Sequence, residues 1–431
     1  MVLKSWLDVP EDHDFSIENL PFGIFSTAEN ENPRPGVAIG RFIVDLAALV
    51  DNAVFSGNCT CQFPQATLKQ GVKPTLNEFA ALGRETVNAV RMFIKYLLVE
   101  MTPILRDNMS LREKCIVDTT ATPVEMHLPM KIGDFTDFLN SRTHAKNTHS
   151  TSETPVNMFN PPRAFTGRVS SVVVSGTPII RPMGHLIDSS GKAYAGRSQQ
   201  MDVEMELAFF VGEGIRRFER VSIDEAEDHI FGVVLLNDWS TRDVQVPEDH
   251  PFAAFNAKSF ASTISPWVVS IDALEPWRTR AQPQEPSDLL PYLTDKKELG
   301  TFDISIGMSW KLSPEGETFE VATSNLSNAY WSFAQMLTHH AFGGCEMRTG
   351  DLIGTGTITG EDAGSNCSLV ERTRNGTQPI HTPAGNKRLY VQDGDEVVFT
   401  GWVGNKADPT LAGRRIGFGV CAGLILPAKP L

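Results

Sequence analysis

MDVEMELAFF, residues 201–210, sets Asp202, Glu204 and Glu206 at every second position, with Val203, Met205 and Leu207 between them, before running into apolar residues. Side chains at i, i+2 and i+4 of a β-strand share one face. The pattern therefore predicts a strand with three carboxylates on one side and apolar groups on the other. Two readings of the acid face stand open. It lies in solvent, as on many half-covered antiparallel sheets. Alternatively it turns inward, where like charges are costly unless a cation or a basic side chain neutralises them.

The 431 residues suffice for two domains, or for one large domain with an appendage, and 41% hydrophobic residues supply ordinary cores. A net charge of −14, from 52 acidic against 38 basic residues, disfavours nucleic acid and anionic membranes as partners. No apolar run approaches the roughly 18 residues of a membrane span. The opening MVLKSWLDVPEDHDF has no basic region followed by an apolar stretch. A soluble, cytoplasmic protein is expected. The cysteines at 59, 61, 115, 345, 367 and 421 lack zinc-finger spacing and are read as reduced, packed thiols.

Short apolar runs broken by Pro, Gly and Asn make the first 70 or so residues a small β-rich unit. A helix is predicted from the T-x-x-E capping box at Thr75 and Glu78 through Phe79, Val87, Val90 and Phe93 to Leu97. A second is predicted over 325–342, its stripe of Tyr330, Phe333, Met336 and Leu337 read as core packing. VDTTATPVEMHLP, residues 117–129, reads as a linker, which divides the chain into 1–119 and 120–431. Beyond it the apolar runs are short, β-branched and bounded by Gly or Pro, so this part is expected to be mainly β. Residues 275–298 read as an exposed excursion.

Other stretches resemble the opening one. IGDFTDF carries Asp134 and Asp137, VVLLNDWSTRDVQ runs an apolar strand into Asp238 with Arg242 and Gln245 after it, and GTGTITGEDAG carries Thr357 and leads to Glu371. A strand that ends on an acid places it at a sheet rim, a usual address for active-site groups. Capping of the next turn is the plainer role for Asp238.

Eight segments, in order FGIFST, MHLPMKIGDFTDFLNSRTHAKN, GRVSSVVVSGTPIIRPMG, MDVEMELAFFVG, HIFGVVLLNDWSTRDVQ, AKSFASTISPWVV, GDLIGTGTITG and DGDEVVFTG, together resemble the fumarylacetoacetase family over nearly the whole chain. The resemblance implies a mainly β, α+β protein: a small N-terminal SH3-like β-barrel, a larger C-terminal β-roll catalytic domain, and a homodimer. It implies that Asp137, Glu204, Glu206 and Asp238 hold one divalent cation. An all-oxygen set suits Mg²⁺ or Ca²⁺. Lys258 and Arg242 would balance the excess negative charge, and Asp202 is left as a supporting or structural acid.

By the same resemblance, His144 paired with Glu371 is the base that activates water, and Lys258, Arg242 and Gln245 meet the oxyanion. The implied reaction is hydrolysis of a carbon–carbon bond in a β-diketone such as fumarylacetoacetate, with Thr357 helping to hold the substrate. Two alternatives use the same fold: decarboxylation, isomerisation or carbon–carbon bond formation through an enolate, and a non-catalytic binding protein. Retention of His144 and Glu371 favours hydrolysis.

The substrate-reading positions depart from the family. Leu139 and Phe165 stand where tyrosines are usual, as does the neighbourhood of Asp249, and the 147–166 loop is short and lacks the expected arginine, for which Arg163 is a poorly spaced stand-in. Ala261 and Ser262 replace a usual Gly-Thr beside a second, smaller cation site. Each lost charge-assisted bond costs roughly 1.5–3 kcal/mol. The sequence therefore predicts a less acidic β-dicarbonyl substrate, in a specialised pathway.

Overall fold

The computed structural model describes residues 3–56, 65–148, 159–248, 254–284, 289–314, 316–405 and 408–430. Cys59, Cys61, Asp249, residues 149–158 of the 147–166 loop and part of the 275–298 excursion lie outside them.

The chain is mainly β with some helix, as expected. Its N-terminal part is a five-stranded antiparallel sheet in the spatial order Ile116–Asp118, Phe42–Asp45, Asn30–Ile39, Phe22–Thr27, Val124–His127. The Thr/Pro-rich stretch read as a linker thus supplies an edge strand. The N-terminal sheet extends past residue 119.

A central eight-stranded sheet runs Arg163–Thr166, Phe135–Leu139, Leu352–Gly354, Met205–Val211, Ile230–Asp238, Ser262–Ile264, Val172–Val174, with Val269–Ser270 also on Ile230–Asp238. A five-stranded sheet built around Ile304–Lys311, Glu396–Val403 and Gly417–Leu426 faces it. Met205, Leu207, Phe209, Val233 and Leu235 pack against Ile304, Ile306, Trp310 and Phe399 of this sheet. The alternate residues Ala208, Phe210, Val234 and Leu236 pack against Phe22, Ile24, Phe79, Val90 and Leu97 of the N-terminal part. Burial on both faces explains the uninterrupted run VVLL. Each buried Val, Leu or Phe contributes roughly 1.5–3 kcal/mol, which helps offset the cost of carboxylates at the sheet's end.

Several expectations are corrected. The helix predicted from Thr75 is two pieces, Asn77–Ala80 and Arg84–Leu98, separated at Gly83 with φ 84°. Thr75 and Glu78 form no capping box: Leu76 occupies the cap and makes no side-chain bond. Leu82 to Val87 spans five residues and falls out of helical phase, which is where the chain breaks. The second helix is Phe333–Phe342, with a capping box formed by Ser332 and Gln335. Asn325 instead ends a strand, and Tyr330 N–H and Trp331 N–H bind Asn140, which holds this stretch extended. Residues 275–298 are not simply exposed, since Arg278 pairs with the buried Glu227 and Leu293 is buried. Cys115, Cys367 and Cys421 are buried free thiols, whereas Cys345 is exposed.

Candidate active site and metal centre

The alternation at 201–210 is interrupted: Met201–Asp202 is one short strand and Met205–Val211 another. Asp202, Glu204 and Glu206 are nevertheless 0%, 5% and 0% exposed, so the solvated face is excluded. Glu206 lies opposite Leu236, and Asp137 pairs in parallel register with Gly354. Asp137, Glu206 and Asp238 therefore continue the face of Phe135, Ala208 and Leu236 past the rim of the sheet. At Gly354 a Cβ would approach Asp137 Oδ1 to 2.5 Å, so glycine leaves that carboxylate its space.

Ligand oxygens of Asp137, Glu204 and Glu206 lie within 4.8 Å of one another. Glu206 Oε2 is buried with no hydrogen-bond partner. An orphaned carboxyl oxygen beside two more acids fits a hard divalent cation. Asp238, the fourth expected ligand, is outside this three-member cluster: Lys258 Nζ donates to its Oδ2 at 2.9 Å and Ser262 Oγ to its Oδ1 at 2.9 Å. Lys258 also donates to Glu204 Oε2, so one ammonium joins Asp238 to the trio.

Charge is divided unevenly. Burial and the neighbouring Asp238 and Glu204 push the Asp137 carboxyl up, and burial with Asp137, Glu204 and Asp238 does the same to Glu206. Burial also raises Asp238, against the pull of Lys258. Burial acts in the same direction on Glu204, where Lys258 and Arg242 outweigh it and hold the group well below the usual range. Those two cations are raised in turn, their own burial being outweighed by the acids around them. With Asp202, which Arg242 also binds, five carboxylate groups stand against two fixed cations, and one dication would offset most of the excess acidity.

His144, on the helix Arg142–Thr148, and Glu371, on the turn Leu369–Arg372, meet beside this cluster. His144 Nδ1 is 2.8 Å from Glu371 Oε2. Ser368 Oγ and Thr359 Oγ1 donate to the same oxygen at 2.7 and 2.9 Å, and Asn147 Nδ2 to Oε1 at 3.1 Å. Burial acts to raise Glu371, but His144 and these hydroxyls outweigh it, and its carboxyl is held low. An ionised carboxylate only accepts, which assigns the proton to Nδ1 and leaves Nε2 as the basic nitrogen.

Arg242 donates to Asp202, Glu204 and Gln245 at 2.7, 2.8 and 2.9 Å. Thr357 Oγ1 reaches Glu206 Oε1 at 3.4 Å. Phe165 stands opposite Asp137, and its ring centroid is 5.8 Å from Lys258 Nζ. Leu139 packs against the core next to it, opposite the exposed Arg163. Asp134 is not in the site: it pairs with Arg348 at the surface. Sequence reading missed Ser368, Thr359 and Asn147 around Glu371 and the need for glycine at 354. Asn147, Thr359 and Gly354 meet partners well separated in the chain or on another strand, so no local spacing marks them, whereas Ser368 stands three residues before Glu371 in an S-x-x-E spacing that could have marked it.

Residues 134–421 match the family model for the fumarylacetoacetate (FAA) hydrolase C-terminal region, and residues 18–129 the one for the fumarylacetoacetase N-terminal region. The chain is similar to the fumarylacetoacetase of Arabidopsis thaliana, 41% identical over 438 residues with 100% of both chains covered. It is similar to that of Homo sapiens, 43% identical over 432 residues, which cover 98% of this chain and 99% of the relative. Among solved structures it shares a fold with Cg1458 bound to an inhibitor, at TM-score 0.51 and 14% identity, covering 95% of this chain and 100% of the other.

Proposed function

The chain belongs to the fumarylacetoacetase family, and from that premise we propose how its residues hydrolyse the carbon–carbon bond of a β-diketone such as fumarylacetoacetate. The observation that supports the mechanism best is the buried His144–Glu371 pair beside the carboxylate cluster and its two cations.

Glu371 holds the Nδ1 proton of His144, so Nε2 takes a proton from water as its oxygen attacks a substrate carbonyl. Lys258, Arg242 and Gln245 stabilise the negative charge that develops on that carbonyl oxygen. The carbon–carbon bond then breaks, its electron pair leaves with the departing carbon, and the imidazolium supplies the proton that completes addition of one water. Asp137, Glu204, Glu206 and Asp238 would hold a divalent cation, Mg²⁺ or Ca²⁺, which would supply Lewis-acid stabilisation of negative charge on the substrate. Thr357 positions the substrate beside this centre. Leu139 and Phe165, without hydroxyl groups, line the part that selects it and favour a less acidic β-dicarbonyl. The N-terminal five-stranded sheet is read as the family's SH3-like unit, and the working form as a homodimer.

Hydrolysis in ¹⁸O-labelled water tests the reaction class, because hydrolysis alone puts label into a new carboxylate. The same assay with His144→Ala, with chelator, and with fumarylacetoacetate against a neutral acyl diketone tests the roles. Undiminished turnover by His144→Ala would remove the base assignment, and equal kcat/KM on both substrates would remove the altered selectivity.

A further inference from the structure

Asp202 is completely buried, and its carboxylate accepts from both Arg242 and the turn that carries Glu371. Oδ2 accepts from Arg242 Nε at 2.7 Å and from the Val370 amide at 3.0 Å. Oδ1 accepts from the amides of Leu369 and Val203, both at 2.7 Å. Leu369 and Val370 open the turn that carries Glu371. Ser368, which occupies the cap position of that turn, makes no capping bond, and its hydroxyl is turned to Glu371 instead. Asp202 therefore takes over the capping of that turn, and Ser368 is free to hold the carboxylate that holds His144.

We propose that Asp202 is a positioning residue that joins Arg242 and the Glu371 turn into one rigid unit, fixing the charge-stabilising guanidinium relative to the His144 base. This rests on the roles proposed above for Arg242 and the His144–Glu371 pair. The chemistry of the residue is specific. An aspartate offers acceptors only, and here both oxygens are used twice. Asparagine would turn an NH₂ group toward one of the two donor pairs. Glutamate would push its carboxylate outward by one methylene in a site with no space. Arg242 has Glu204 and Gln245 as its other partners, and among the described residues Asp202 is the side chain that accepts directly from both Arg242 and the Glu371 turn, beside the backbone bridge of Glu204 to Ser368.

The clamp is tested in two ways. Backbone amide exchange at Leu369 and Val370 is compared between wild type and Arg242→Lys, which removes the Nε donor without touching the turn. Protection of these two amides is expected to fall about tenfold, a change within the range of local opening; unchanged protection would overturn the link. This measurement needs no turnover, so it stands even if the proposed reaction fails. In the magnesium-loaded enzyme, Asp202→Asn is expected to lower kcat roughly 10²-fold, the size expected for a small misplacement, with KM changed less than about threefold. Added to Glu371→Gln, the same substitution should cost less than about fivefold further, because its route to the base is already gone. A full, multiplicative loss in the double variant would place the action of Asp202 elsewhere. Should Asp202→Asn fail to fold, the exchange comparison still decides.

Discussion

His144 Nδ1 and Glu371 Oε2 lie 2.8 Å apart across 227 residues of sequence, and the glutamate oxygen accepts two hydroxyl hydrogen bonds besides. Three donors converging on one carboxylate oxygen keep it ionised and fix the imidazole in a single tautomer.

Glu371→Gln should therefore fold but work poorly. A glutamine can present its NH₂ to Nδ1 and favour the wrong tautomer, and a mispositioned base forfeits an effect worth about 10²–10⁴ in rate. Steady-state kinetics on fumarylacetoacetate, alongside a melting curve, are expected to show kcat reduced at least about 10²-fold in a variant that still melts cooperatively, its Tm lowered by the loss of charge-assisted bonds. Activity within threefold of wild type would dissociate the pair from catalysis.

Glu206→Gln should have opposite effects with and without cation. In the chelated protein burial and the acids around it push the Glu206 carboxyl up, so at neutral pH folding must take up a proton that the unfolded chain does not hold, which costs stability. Neutralising the residue should raise the chelated protein's unfolding free energy by about 1–3 kcal/mol while abolishing the rise in Tm that wild type gains from magnesium. Calorimetry with EDTA and with Mg²⁺ reads both effects. A variant that still responds to the ion would exclude Glu206 as a ligand.

Much of the site was legible in advance, for reasons that particular residues make plain. Asp238 could be placed at a strand end because the apolar run before it and the polar turn after it are contiguous. The burial of Asp202, Glu204 and Glu206 was not decidable from alternation, since an acid face looks the same in sequence whether water or Arg242 and Lys258 cover it. Helix limits failed at Gly83 and Ser332 for a different reason. At Gly83 the apolar spacing slips phase between Leu82 and Val87 and then resumes, whereas before Ser332 it runs on through an extended stretch whose deciding contact, Asn140 on Tyr330, is distant in the chain. The two-sided covering of Met205–Val211 is likewise tertiary.

Phe165→Tyr and Leu139→Tyr should shift selectivity toward acidic substrates. Phe165 stands opposite Asp137, beside Lys258, so a phenol there could donate to a substrate carboxylate or carbonyl. A hydrogen bond to a charged group is worth about 1.5–3 kcal/mol, or roughly 10–150-fold. The kcat/KM for fumarylacetoacetate divided by that for a neutral acyl diketone is expected to rise at least about tenfold in the double variant. A ratio that does not move would mean that these positions do not read the substrate.

Glu227 gives a pH dependence that can be separated from the active site. It is 3% exposed, and Arg278 Nη2 and Lys297 Nζ donate to its Oε2 at 2.6 and 2.8 Å. Burial acts to raise its carboxyl, but the two cations prevail and lower it. A depressed folded-state value means that the native form binds fewer protons than the unfolded form. The stabilisation is thus complete above the unfolded glutamate value of about 4.3 and is lost as pH falls through the lower folded one. Glu227→Gln removes the anion, but Lys297 is exposed and Arg278 keeps Glu275, so the loss of the charge-assisted bonds should cost about 1.5–3 kcal/mol at pH 7. Urea unfolding measured from pH 7 down to pH 3 should show the gap between wild type and variant narrowing in the acid range, since protonation of Glu227 makes wild type resemble the variant. A gap that stays constant to pH 3 would show that the carboxylate's charge contributes nothing to the fold.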